Sequence, residues 1–94
     1  MAQSTILAAG VTAATSTDVV VAAGAYVVIG IFAATADTLP PPVTFSVFQD
    51  TPGADNVINL LNNNDRSIQL IGPGTFRVGR PAYTGVAFGV FLET

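Results

Sequence analysis

Nine side chains of this 94-residue chain carry charge at neutral pH, and their kinds decide what chemistry is open to it. Six are carboxylates, Asp18, Asp37, Asp50, Asp55, Asp65 and Glu93, and three are guanidiniums, Arg66, Arg77 and Arg80. Histidine, cysteine and lysine are missing. Nucleophilic relays of the Ser/His/Asp or Cys/His kind therefore lack their base, and zinc lacks an imidazole or thiolate. A carboxylate pair remains as an acid/base arrangement, but these acids fall mostly at predicted turns, where solvated charge is the ordinary outcome. Residues 50–56, Asp-Thr-Pro-Gly-Ala-Asp-Asn, offer two carboxylates and an amide to a hard cation such as calcium. They lack the dense acidic spacing and bidentate glutamate of an EF-hand, so an Asp-initiated turn is the expectation. Residues 72–79, Gly-Pro-Gly-Thr-Phe-Arg-Val-Gly, are glycine-rich without the Gly-Lys pair of a P-loop or the following helix of a dinucleotide motif. The inventory predicts no enzyme, no cofactor and no metal.

The three arginines lie within fifteen residues of one another. Arg77 and Arg80 fall on opposite faces of a regular strand. They serve either intramolecular pairs with Asp65 or Asp50, or a contact with an acidic neighbour. Three arginines in a chain of net charge −3 make a poor footprint for phosphates, so nucleic acid is not an expected partner. Only 10% of residues are charged while 50% are apolar, against roughly 25% charged in an average soluble domain. Such a chain exposes more apolar surface than a monomer usually tolerates, which predicts partner subunits. The uncharged run 19–34 is sixteen residues long, short of the ~20 that a helix needs to cross a bilayer. It has no Lys or Arg beside it, and the start lacks a basic n-region, so no membrane span or signal peptide is expected.

The elements that must position these side chains read as strands throughout. Short runs of Val, Ile, Phe and Thr recur between Gly, Pro, Asn and Asp, the pattern of a sandwich or barrel. Eight strands are predicted, at 5–9, 18–22, 25–33, 43–50, 57–62, 67–71, 75–80 and 84–92, in a single antiparallel β-sandwich domain spanning 1–94. Ala23-Gly24 predicts a tight hairpin pairing the second strand with the third. Residues 62–65, Asn-Asn-Asn-Asp, and 72–74, Gly-Pro-Gly, predict two further turns. The run Leu39-Pro40-Pro41-Pro42 predicts an extended crossing between sheets. Residues 1–5 are expected to form a flexible arm that orders on docking.

Alternation assigns faces. Val43, Phe45 and Val47 share one, opposite Thr44, Ser46 and Phe48. Val27, Ile29 and Ile31 oppose Tyr26, Val28 and Phe32, so that strand is apolar on both sides and needs cover on both. In the last strand Val86, Phe88, Val90 and Leu92 oppose Gly85, Ala87, Gly89 and Phe91, the small residues admitting another backbone. The candidate assembly surface accordingly comprises Tyr26, Val28 and Phe32, the connection Leu39, Pro40, Pro41 and Pro42, the arginines Arg77 and Arg80, and Phe88 with Phe91.

The start Met-Ala-Gln-Ser-Thr-Ile-Leu, the Ala/Val-rich run, Asp50-Thr-Pro-Gly-Ala-Asp55, and residues 72–81 followed by an aromatic/glycine strand together resemble small structural proteins of phage virions. In size and character the chain is most similar to capsid decoration, or cement, proteins. That resemblance implies a jelly-roll sandwich, a homotrimer, a major capsid protein or other virion subunit as partner, and a place on the capsid surface. A tail, neck or fibre subunit is the alternative within that class. A carbohydrate-binding module is a further one, needing an exposed aromatic platform for which Tyr26 and Tyr83 are the only tyrosines.

Overall fold

The computed structural model describes residues 2–35 and 37–94, and all regular structure among them is β. Nine strands follow one another: β1 (Gln3–Gly10), β2 (Ala14–Thr15), β3 (Val19–Val21), β4 (Tyr26–Ala33), β5 (Phe45–Asp50), β6 (Asp55–Leu61), β7 (Ser67–Ile71), β8 (Gly74–Arg80) and β9 (Phe88–Glu93). They form two antiparallel sheets. The first has the order β1-β9-β4-β7, and the second β2-β8-β5-β6, with β3 also on β8. The pairs β1·β9, β2 and β3·β8, β4·β7 and β5·β6 are nested one inside the next, so the chain runs out and returns along itself.

The expected hairpin between the second and third predicted strands does not form. Val19–Val21 pairs with β8 in one sheet, whereas Tyr26–Ala33 pairs with β7 and β9 in the other. Gly24 does take a positive φ of 81°, and the Ala25 N–H donates to the Ala22 carbonyl at 3.0 Å. The turn is therefore real, but it is a corner between sheets. The return strand bends beside it: Gly72 N–H donates to the Ala25 carbonyl at 3.0 Å. A Cβ on Gly72 would stand 2.1 Å from the Ala22 carbonyl oxygen and 2.6 Å from that of Val21. Two corners thus nest backbone against backbone, and glycine is required where they touch.

Between the sheets lies one core. Phe45, Phe88, Ile29, Leu39, Leu61, Val47, Val78 and Val90 are its largest fully buried side chains, each contributing about 1.5–3 kcal/mol through burial. The alternation of β4 and β5 is as expected, with Val27, Ile29, Ile31, Phe45 and Val47 inward. Gly89 admits a backbone as anticipated, that of β1, whose Leu7 oxygen lies 2.5 Å from where a Cβ would be.

Three further expectations need correction. β2 is absent from the expected strands: it is two residues long, and beyond it the Ser16 N–H donates to the Val78 carbonyl at 2.8 Å while Ser16 Oγ accepts the Val78 N–H at 2.9 Å. The arm expected at 1–5 is largely strand. Gln3–Thr5 pair with Phe91–Glu93 and Ala2 exchanges hydrogen bonds with Thr94, while Met1 lies outside the described residues. The proline connection does cross from the first sheet to the second, but it turns: Val43 N–H donates to the Pro40 carbonyl at 2.9 Å.

Candidate assembly surface

The total accessible surface is 5079 Å², close to the roughly 5,100 Å² that surface scaling gives a folded monomer of this mass. Scattered exposed apolar residues are normal on any protein, so their grouping is what carries information.

Among the described residues six large apolar side chains are exposed: Val20 (76%), Ile71 (70%), Tyr26 (62%), Val57 (53%), Leu60 (46%) and Ile58 (42%). Five of these lie on or beside the edge strands β6 and β7, with Tyr26 and Ile71 on the outer face of the first sheet and Val57 and Leu60 on that of the second. Val57, Ile58 and Leu60 belong to β6, the edge of the second sheet, while Tyr26 and Ile71 face each other across β4 and β7 at the edge of the first. β6 carries a register irregularity between its partners for Val47 and Phe48. Its Asp55 carboxylate is engaged by the Arg77 Nη1.

The outer face of the first sheet continues this apolar character. Val28, Phe32 and Phe91 are half-buried there, and the Phe32 and Phe91 rings meet edge-on with centroids 6.5 Å apart. Gly30 lies beneath the Phe91 ring, where a Cβ would come within 2.5 Å of it. Gln3, Ser4 and Thr5 from β1 line the same shallow depression. A larger hollow on the second sheet has Gly79 in its lining with Ser46 and Phe48, and Pro42 and Pro81 among its other residues.

Leu39, Arg80 and Phe88 were expected at the assembly surface and are instead inside, at 1%, 6% and 0% exposure. Leu39 is drawn in because the Asn63 side-chain amide satisfies both of its backbone groups, accepting its N–H at 2.7 Å and donating to its carbonyl. Pro41 and Pro42 remain exposed, and Pro40 is half-buried against Gly85. Arg80 donates from Nε to Thr12 and from Nη1 to Ala8 and Phe88, all backbone carbonyls. No carboxylate pairs with it among the described residues.

Arg77 points outward, opposite to Arg80 as alternation requires, and its partners are not the expected Asp65 or Asp50. It bridges Asp18, at 2.9 Å from Nε, and Asp55. The hydrogen bond from Arg77 holds the Asp18 carboxyl below its ordinary value of 3.8, and the two carboxylates raise the guanidinium further. Arg77 is mostly covered, but Asp18 (58% exposed) and Asp55 (38%) are open to solvent, so this bridge orders a surface more than it stabilises a fold.

In the loop 51–54, Thr51 Oγ1 donates to the Ala54 carbonyl and Asn56 Nδ2 donates to Thr51 Oγ1 at 2.8 Å. Its polar groups serve the turn, and no cluster of three or more metal-ligating side chains occurs among the described residues. Tyr83 is half-buried, its hydroxyl accepting the Phe88 N–H at 3.0 Å and donating to the Val86 carbonyl at 2.6 Å. It offers no sugar platform. Asn63 and Ser16 hold segments far away in sequence, as does Tyr83, whose N–H donates to the Val11 carbonyl at 3.0 Å, and residue spacing carries no signal for such partners. No family model matches the chain, and neither curated proteins nor solved structures provided a match.

Proposed function

We propose that this chain is a non-enzymatic structural subunit that works in many copies on a phage virion, as a capsid decoration protein does. The observation that carries the reading is that large apolar side chains are left in water along the edges of both sheets, Val57, Ile58 and Leu60 on β6 and Ile71 on β7 beside Tyr26. Apolar side chains that a monomer leaves in water are covered when copies or a shell pack on them. The nested strand pairing, rolled into the orders β1-β9-β4-β7 and β2-β8-β5-β6, supports the jelly-roll part of the resemblance. The side-chain inventory supports a role without catalysis, since it offers no imidazole, thiol or amine.

In such a role the mechanism is mass action. A protein that binds the assembled shell and not its separated subunits stabilises the shell in proportion to occupancy. Co-sedimentation of the purified protein with intact capsids, compared with purified tails, tests the assignment. Saturable binding to capsids supports decoration; binding to tails alone moves the protein to the tail, and binding to neither removes the virion role.

A further inference from the structure

We infer that β7 is the strand through which two copies of this chain join, antiparallel and about a two-fold axis at Gln69, extending the first sheet from four strands to eight. The inference rests on the reading of the chain as a self-associating subunit and adds where the contact is made. Four strands or strand pairs form the open edges: β1 and β7 in the first sheet, and β6 and the β2/β3 pair in the second. Three of them are blunted in ways that natural edges commonly use. The register of β1 shifts twice, β6 has an irregularity opposite Val47 and Phe48, and β2 and β3 are short pieces separated at Ser16-Thr17-Asp18.

β7 has none of these protections. Its five residues, Ser-Ile-Gln-Leu-Ile, contain no charge, proline or glycine. They pair with β4 in unbroken register from Tyr26↔Ile71 to Gly30↔Ser67. Which backbone groups are free follows from that pairing. Arg66 accepts from Ile31 at 2.9 Å and Gly72 donates to Ala25 at 3.0 Å, so the even-numbered residues address β4. By the alternation of an antiparallel ladder, Ser67, Gln69 and Ile71 turn their N–H and C=O groups to the open edge. The occupant of that edge is therefore a β-strand.

A second β7 fits it in one register. With Gln69 opposite its own copy, Ser67 lies opposite Ile71 of the second molecule, and Ile71 opposite Ser67. All three free residues on each side then exchange their backbone groups. Ile68 falls opposite Leu70 on the core side, matching apolar with apolar, and no charged side chain is brought to face a like charge. Ile71 and its neighbour Tyr26, both exposed in the single chain, come to flank the junction. Because the surface is self-complementary, the contact closes as a two-fold pair. The building unit is then a dimer, in place of the trimer that the resemblance implies.

Cysteine crosslinking of the full chain tests this, since the chain has no cysteine of its own. At the proposed axis the two Gln69 Cα atoms stand about 5.5 Å apart, a separation that a disulfide spans. Under mild oxidation the Gln69→Cys variant is expected to form a covalent dimer about tenfold faster than a control, Val20→Cys, at a position that is likewise exposed. Gln69→Lys is expected to raise the dimer dissociation constant about tenfold by placing two ammonium groups face to face. Circular dichroism confirms that each variant is folded. If the wild-type chain forms oligomers by light scattering but Gln69→Cys crosslinks no faster than Val20→Cys, the β7 contact is wrong while self-association stands. If the wild-type chain stays at 9.6 kDa at every concentration, both fall.

Discussion

Arg80 donates from Nη1 to the carbonyl oxygen of Phe88 at 2.9 Å, tying the last residue of β8 in one sheet to the first residue of β9 in the other. The same guanidinium reaches Ala8 and Thr12 at 2.7 Å each, so a buried cation is solvated by carbonyl dipoles from three segments. Gly10 makes room for it, as a Cβ there would lie 2.9 Å from Nη2. Arg80→Met fills similar volume but leaves these acceptors without a donor. It is expected to destabilise the fold by about 2–4 kcal/mol in urea titration. Arg80→Lys should recover only part of that, because a point charge lacks the planar fork that reaches three acceptors.

The nested corners give a paired prediction. Gly72→Ala places a Cβ against the Ala22 and Val21 carbonyl oxygens, both backbone and unable to swing aside. A loss of about 3 kcal/mol or more is expected. Gly53→Ala meets nothing within 4 Å, and should be neutral or stabilising by up to about 1 kcal/mol through the unfolded chain. Thermal denaturation of the two variants side by side checks the contrast.

Much of this architecture can be read from residue order, and the errors share one cause. Strand positions follow from alternation and punctuation, and β7 was placed at 67–71 without error because Asn62-Asn63-Asn64-Asp65 and Gly72-Pro73-Gly74 bound it. Which strands pair is a different matter. Gly24 at positive φ serves a hairpin and a corner between sheets equally well, and only the distant segment 67–76 decides between them. Leu39 beside three prolines reads as a solvent-exposed connection until the Asn63 amide, twenty-four residues away, is placed on its backbone. Arg77 and Arg80 were assigned to opposite faces correctly, but which face is inward depends on where the other sheet lies.

Asn63 should therefore be the residue that keeps the connection down. Asn63→Ala removes both hydrogen bonds to Leu39 and leaves its backbone groups unpaired in a part-buried site. A loss of about 1–3 kcal/mol is expected. Faster amide exchange at Leu39, with exchange in β9 changed less, would show that the effect begins in the connection.

The Arg77 bridge predicts a pH signature. The hydrogen bond from Arg77 lowers the Asp18 carboxyl from 3.8 in the folded chain, so the paired form contributes above the unfolded value and is lost as pH falls through the folded one. A carbon-detected titration should find Asp18 below 3.8 in the wild-type chain and back near it in Arg77→Ala. The part of any stability difference that comes from the Asp18 pair should fade as pH falls through the folded Asp18 midpoint.

The central claim is that this sandwich works in multiple copies because large apolar side chains stand in water along its β6 and β7 edges. Light scattering coupled to size exclusion, run on the untagged chain over a wide concentration range, tests that most directly. The expected result is a mass at a multiple of 9.6 kDa that falls toward 9.6 kDa on dilution. A constant 9.6 kDa up to the highest concentration would contradict it.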